Sequence, residues 1–126
     1  MTENYNVNSE QGIQTLDLAL LQGYMDSLGN IIVDKMFSLY KQQVILYLSD
    51  IENAQLEDSG LLWQESCHKM KGASGSVGLI RLHGMLVTLE KVTASKSEKA
   101  VLLNELKDEN EKAITAFQHW LTKVSN

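Results

Sequence analysis

The sequence predicts an all-α fold, an antiparallel four-helix bundle with an additional short N-terminal helix, and three observations carry that expectation. No proline occurs in the 126 residues, although proline usually marks turns and edge strands. Long stretches are rich in Leu, Lys, Glu, Gln and Ala, which lose little freedom on entering a helix. Apolar residues recur at steps of three and four in successive segments, the spacing that gives a helix one buried face. A chain of this length builds one core rather than two. We therefore expect one domain over 15–126, preceded by a polar, aperiodic tail or linker over 1–14.

Taken in order, Thr15 offers an N-cap to a short helix, "LDLALLQGYMDSLG", that ends at Gly29. Asn30 is the candidate cap of a long second helix whose inward positions are Val33, Phe37, Tyr40, Val44, Tyr47, Ile51 and Ala54. Asp58, Ser59 and Gly60 form a turn that caps a third helix over 61–77, which Gly78 closes. A fourth helix has Leu82, Met85, Leu89 and Val92 as its stripe and stops near "TASKSE". Ser97 is the candidate cap of the last helix, with Leu103, Leu106, Asn110, Ala113, Phe117, Trp120 and Val124 facing inward. Short connections make neighbouring helices antiparallel, and the first short helix covers one end.

Composition narrows the function classes. A net charge of −5 lacks the basic face of a nucleic-acid binder. No run approaches the roughly 18 apolar residues of a membrane span, and "MTENYNVNSEQG" has neither the charge nor the apolar core of a signal peptide. Cys67 is the single cysteine, which suits a reducing, cytoplasmic setting. It falls on the inward face of the third helix, where it reads as a small core residue.

The chemistry concentrates in "HKMKGASGSVGL", His68 to Leu79. Three glycines lie in or next to a helix, each costing roughly 0.5–1 kcal/mol relative to alanine inside one. With residues about 100° apart, Trp63, Cys67, Met70, Ser74 and Val77 form the core stripe, and His68 projects from the opposite side. Gly72 and Gly75 follow on the side of His68, with Lys71 beside them, so the helix is thinned where another protein could approach the ring. A neutral imidazole is a competent nucleophile near neutral pH and can carry a phosphoryl group, whose added charge a cation such as Lys71 can offset. Between Gln64 and Arg81 the charged residues Glu65, Lys69, Lys71 and Arg81 sum to +2, a basic spot suited to an acidic partner.

The run His68-Lys69-Met70-Lys71-Gly72-Ala73-Ser74, continued by Gly75-Ser76-Val77-Gly78, resembles the signature of the histidine-containing phosphotransfer (HPt) domain. The resemblance extends over about 15–124. It implies a four-helix bundle that accepts a phosphoryl group from an aspartate of one receiver domain and passes it to another. His68 is then the phosphoacceptor and Lys71 the compensating cation, with Gly72, Gly75 and Lys69 on the docking face. The domain carries no cofactor or metal of its own, because Mg2+ belongs to the response-regulator receiver. It has no kinase motif, so it is a phosphotransfer intermediate rather than an autonomous enzyme. The sequence is most similar to HPt domains at the C-terminal ends of hybrid sensor kinases of the trimethylamine-N-oxide-sensing or anaerobic-sensing type. In that case the domain is cytoplasmic, either free or tethered to the inner membrane through a larger kinase, and residues 1–14 include linker.

A four-helix-bundle metal site needs paired Glu-x-x-His motifs facing inward. Glu65 precedes His68 by three, but His68 points away from the core stripe and no second pair exists. A dimeric histidine-kinase core lacks the proline expected after its histidine. An adaptor or inhibitor bundle that docks on a receiver or kinase without carrying phosphate remains the alternative function. No apolar stripe is left over for self-association, so a monomer is expected. His83 and His119 read as ordinary surface or boundary residues, and Trp63, Phe117 and Trp120 as packing groups.

Overall fold

The computed structural model describes residues 14–125, so almost all of the expected tail over 1–14 lies outside the described residues. Four helices follow in order, α1 (Leu18–Leu56), α2 (Gly60–Ser76), α3 (Ile80–Glu90) and α4 (Lys96–Ser125), with no strand among the described residues. Each packs on its sequence neighbours and α1 closes on α4, while among the described residues the backbones of the diagonal pairs, α1 with α3 and α2 with α4, stay apart. That ring is an antiparallel four-helix bundle.

The expected short N-terminal helix is present as the first arm of α1. Gly29 has φ 82° and ψ 167° and breaks the helix into arms over 18–28 and 30–56 with no intervening loop. The non-helical residue is Gly29 itself, so Asn30 lies inside the second arm instead of capping it. Thr15 is not the first cap either. Asp17 takes that role, its Oδ1 accepting from the Leu20 N–H at 3.1 Å. The Thr15 carbonyl instead accepts from the Arg81 N–H at 3.5 Å, at the start of α3. That first turn has no side-chain cap of its own.

Helix α2 begins as the sequence suggests. Asp58 adopts φ 54° and Ser59 Oγ accepts from the Leu62 N–H. Helix α4 starts two residues earlier than expected. Ser95 and Glu98 form a reciprocal capping box, Ser95 Oγ accepting from the Glu98 N–H and Glu98 Oε1 from the Ser95 N–H. Ser97 therefore sits within the first turn.

The core is one cluster drawn from all four helices. In α1 every expected inward residue is buried except Tyr47, which is half-buried. In α2 the stripe of Trp63, Cys67, Met70, Ser74 and Val77 is buried throughout. Helix α3 buries Leu82, Leu86 and Leu89, leaving Met85 and Val92 half-buried. With only 11 residues, α3 turns a leucine row inward rather than the 82–85–89–92 row. At the end of α4, Leu121 is buried while Trp120 and Val124 are half-buried. There Phe37 stacks on Phe117 with ring centroids 4.3 Å apart, and Trp120 meets Phe117 edge-on. The buried Asn110 accepts from Tyr40 O–H at 2.7 Å, which satisfies the one polar residue of that stripe.

The connection between α2 and α3 is the tightest point of the fold. Gly78 has φ 74°, and a side chain there would lie 2.9 Å from Leu21 Cδ2. Its carbonyl accepts from the Asp17 N–H at 2.8 Å, and Tyr24 O–H donates to the Ser76 carbonyl. The first arm of α1 is thus bound over this turn. Left-handed backbone costs an L-residue about 1–2 kcal/mol, and Leu21 must also move. Gly78→Ala is therefore expected to destabilise the bundle by about 2 kcal/mol in urea unfolding. Unchanged stability would mean that the turn relaxes freely.

Candidate functional site

His68 stands on α2 opposite the buried stripe, its side chain 66% exposed. The next turn of the same surface is bare, because a side chain added at Gly72 would meet no atom within 4 Å. Gly75 is different. An added Cβ would lie 2.9 Å from His83 Cδ2, so the space expected there for a partner is filled by α3. Gly75 lets α2 and α3 approach, and His83 is the residue that uses the gap.

The same approach brings Glu90, at the C-terminal end of α3, against α2. Its Oε2 lies 3.1 Å from His68 Nδ1, and its Oε1 lies 2.6 Å from Lys71 Nζ. The carboxylate is 13% exposed and Lys71 25%, so both are more sheltered than the ring. The Lys71 ammonium holds the Glu90 carboxyl below the usual carboxylate range. Partial burial works against this, and the hydrogen bond from His68 adds to it.

That ionisation assigns the histidine tautomer. A carboxylate only accepts hydrogen bonds, so Nδ1 carries the proton and donates to Glu90. In the neutral ring the lone pair then belongs to Nε2, the nitrogen that Glu90 does not engage. Glu90 thus orients an imidazole whose other nitrogen has the chemistry of a nucleophile when the ring is neutral.

The structure joins two of the expected site residues, His68 and Lys71, through a third that the sequence reading passed over. Glu90 directly follows Leu89 of the leucine row, and in an antiparallel hairpin residues equidistant from the turn face each other. His68 and Glu90 lie eleven residues before and after Leu79, Gly75 and His83 four residues before and after it. Reflection about the turn was the available signal.

Lys69 is exposed, away from this cluster, with no ion pair among the described residues. The basic spot expected over 64–81 is largely offset. Lys71 pairs with Glu90 and Arg81 with Glu109 at 3.6 Å, both carboxylates coming from outside that stretch. Among the described residues no three His, Cys, Asp or Glu side chains gather as metal ligands would. Behind the site, burial pushes the Cys67 thiol up to about 12, with Glu90 adding and Lys99 opposing. Cys67 is therefore a packed thiol rather than a nucleophile.

No family model matches the chain. In solved structures, the histidine-containing phosphotransfer domain of ArcB from Escherichia coli superposes with a TM-score of 0.77, at 23% identity over 87% of this chain and 95% of that one. A solution structure of the same domain of the anaerobic sensor kinase ArcB gives 0.75, at 23% identity over 89% and 91%. The fold is that of a histidine-containing phosphotransfer domain. In sequence, the chain is 25% identical over 129 residues to the aerobic respiration control sensor protein ArcB of E. coli K12, and equally so to that of Shigella flexneri. The alignment takes in 98% of this chain but 16% of those relatives, so the chain spans about a sixth of their length. No helix among the described residues is long and apolar enough to cross a membrane. On the HPt fold, His68 occupies an outer face of α2 and Glu90 reaches it from the end of α3.

Because the Glu90 carboxyl is lowered in the folded state, its contribution to stability is full above the ordinary carboxylate range. It is lost as pH falls through the folded value. Urea unfolding of the parent and Glu90→Gln should therefore show a stability difference at neutral pH that shrinks on acidification. A difference independent of pH would mean that the Lys71–Glu90–His68 contacts leave the carboxyl unperturbed.

Proposed function

We propose that the chain is a phosphohistidine carrier in a multistep phosphorelay, shuttling a phosphoryl group between receiver-domain aspartates through His68. The observation that carries this reading is the imidazole itself, exposed beside the bare surface of Gly72 and held through Nδ1 by Glu90. In the loading step the Nε2 lone pair attacks the phosphorus of an aspartyl phosphate. The bond from phosphorus to the carboxyl oxygen breaks, and the aspartate leaves as carboxylate. The positive charge that forms on the ring is stabilised by Glu90 through Nδ1–H. Delivery to a second aspartate is the reverse of this step, and no nucleotide is consumed in either direction.

Phosphoryl transfer depends mainly on positioning and electrostatics. This chain supplies the oriented ring and Lys71, whose Nζ can turn from Glu90 toward phosphoryl oxygens. The receiver supplies the aspartate and its Mg2+. Gly72 admits the receiver's loops, and Lys69 stands at the edge of that face. The partners are response-regulator receivers, in trans or within one hybrid kinase polypeptide, and the domain works as a cytoplasmic monomer. Likeness to the ArcB domain supports this placement.

The test is transfer from a radiolabelled receiver to the parent and three variants, each checked for helicity. The parent should gain acid-labile, base-stable label, and His68→Ala none. Gly72→Leu should slow transfer about a hundredfold, as expected when reacting groups are held about an ångström out of place. Lys71→Ala should load more slowly. Equal labelling of His68→Ala would overturn the reading, and a folded parent that no receiver labels would leave a docking bundle without chemistry.

A further inference from the structure

Behind the His68–Glu90 contact a cavity of about 480 Å³ opens where the starts of α2 and α4 meet the end of α3. Its wall includes Lys99, whose residue is only 6% exposed. The Lys99 ammonium lies 5.1 Å from the centre of the Trp63 ring and forms no ion pair among the described residues. The Lys99 stem is buried while the ammonium opens on the cavity, where the face of one indole is a weak complement to its charge.

The strand of chain that borders Lys99 adds further donors. The Val92 N–H donates to Leu89 and the Ser95 N–H to Glu98. Between them, the amides of Thr93 and Ala94 form no hydrogen bond within the described residues, and both residues line the cavity. Lys91 and the Gln64 amide stand at its rim. Two carboxylates also border it. Asp58 is exposed at the far side, and the charge of Glu90 is already taken up by Lys71.

We propose that this cavity binds a small oxyanion of the phosphate class, held by Lys99 Nζ and the backbone amides of Thr93 and Ala94. The bound anion supplies the counter-charge that Lys99 lacks. Asp58 and the exposed rim set an upper limit on its charge and favour a single phosphate over a polyanion. Glu90 forms both the wall of this cavity and the support of His68, so occupancy presses its carboxylate toward Lys71 and the ring. The site is therefore a place where the phosphate pool can bias the phosphoacceptor. Only this coupling rests on the carrier reading; the binding does not.

The experiment is a titration with inorganic phosphate at constant ionic strength, with chloride as the control. Fluorescence of Trp63 in a Trp120→Phe background should change saturably in the millimolar range. Lys99→Met keeps the buried stem and should weaken that response about tenfold or more. In amide spectra of the unaltered protein, Thr93 and Ala94 should shift along the same curve. The same titration in His68→Ala should still saturate and still move Thr93 and Ala94, which separates this result from the fate of the relay. Shifts that fail to saturate, that follow chloride, or that fall on surface lysines instead of these amides would overturn the proposal. So would an unchanged affinity in a folded Lys99→Met.

Discussion

The reversal at Gly78 sets the register in which everything else is placed. Only a residue without a side chain fits a positive φ at that point and leaves Leu21 in van der Waals contact with the turn. The turn is also a hydrogen-bonding junction, since the Gly78 carbonyl takes Asp17 and the Ser76 carbonyl takes Tyr24. The start of α1 is therefore anchored to the α2–α3 hairpin by backbone geometry, and Leu21 completes the core at that end. A shift of one residue in this turn would rotate α3 by about 100° against α2. The leucine row would then lose its place in the core.

From that register the site follows without further design. Gly75 allows His83 to lie directly on α2, which draws the two helices together one turn from the reversal. Near the other end, Trp63 donates its indole N–H to the Leu89 carbonyl at 2.8 Å. Leu89 is buried and Glu90 is the next residue, so the brace fixes where the carboxylate leaves the core. Two contacts far apart on one hairpin thus determine the position of Glu90. Its carboxylate then determines the tautomer of His68.

How much of this was legible in the sequence depends on the kind of interaction. Inward residues of α1 and α2 could be read because a long helix repeats its buried face several times, and one ambiguous position does not shift the stripe. Helix α3 has three turns, and the choice between Met85 and Leu86 is decided by which row meets α4, a tertiary fact. The caps at Thr15, Asn30 and Ser97 were misplaced by one or two residues because Ser, Thr, Asp and Asn occur close together there and local chemistry does not rank them. His68, Lys71 and Gly72 are separated by one turn of a single helix, so spacing places them on one surface. Glu90 comes from another helix, and its pairing exists only once the hairpin register is known. The apparent basic spot was misleading for the same reason, since Glu90 and Glu109 arrive from outside the counted stretch.

The charge balance at His68 is consistent with a carrier rather than a binding site. A pocket built to retain a phosphoryl group would surround it with several donors and at least one unengaged cation. Here the nearby cation, Lys71, is shared with Glu90, and the ring is exposed. A phosphoryl group on Nε2 would compete with Glu90 for Lys71 while the carboxylate stayed within reach of the same ring. In the proposed carrier the loaded ring would gain one cation and keep one neighbouring anion, which would support it without trapping it. A site that must both accept and release the same group at similar free energy requires that near balance. Replacing the carboxylate with a further cation would tilt it toward retention.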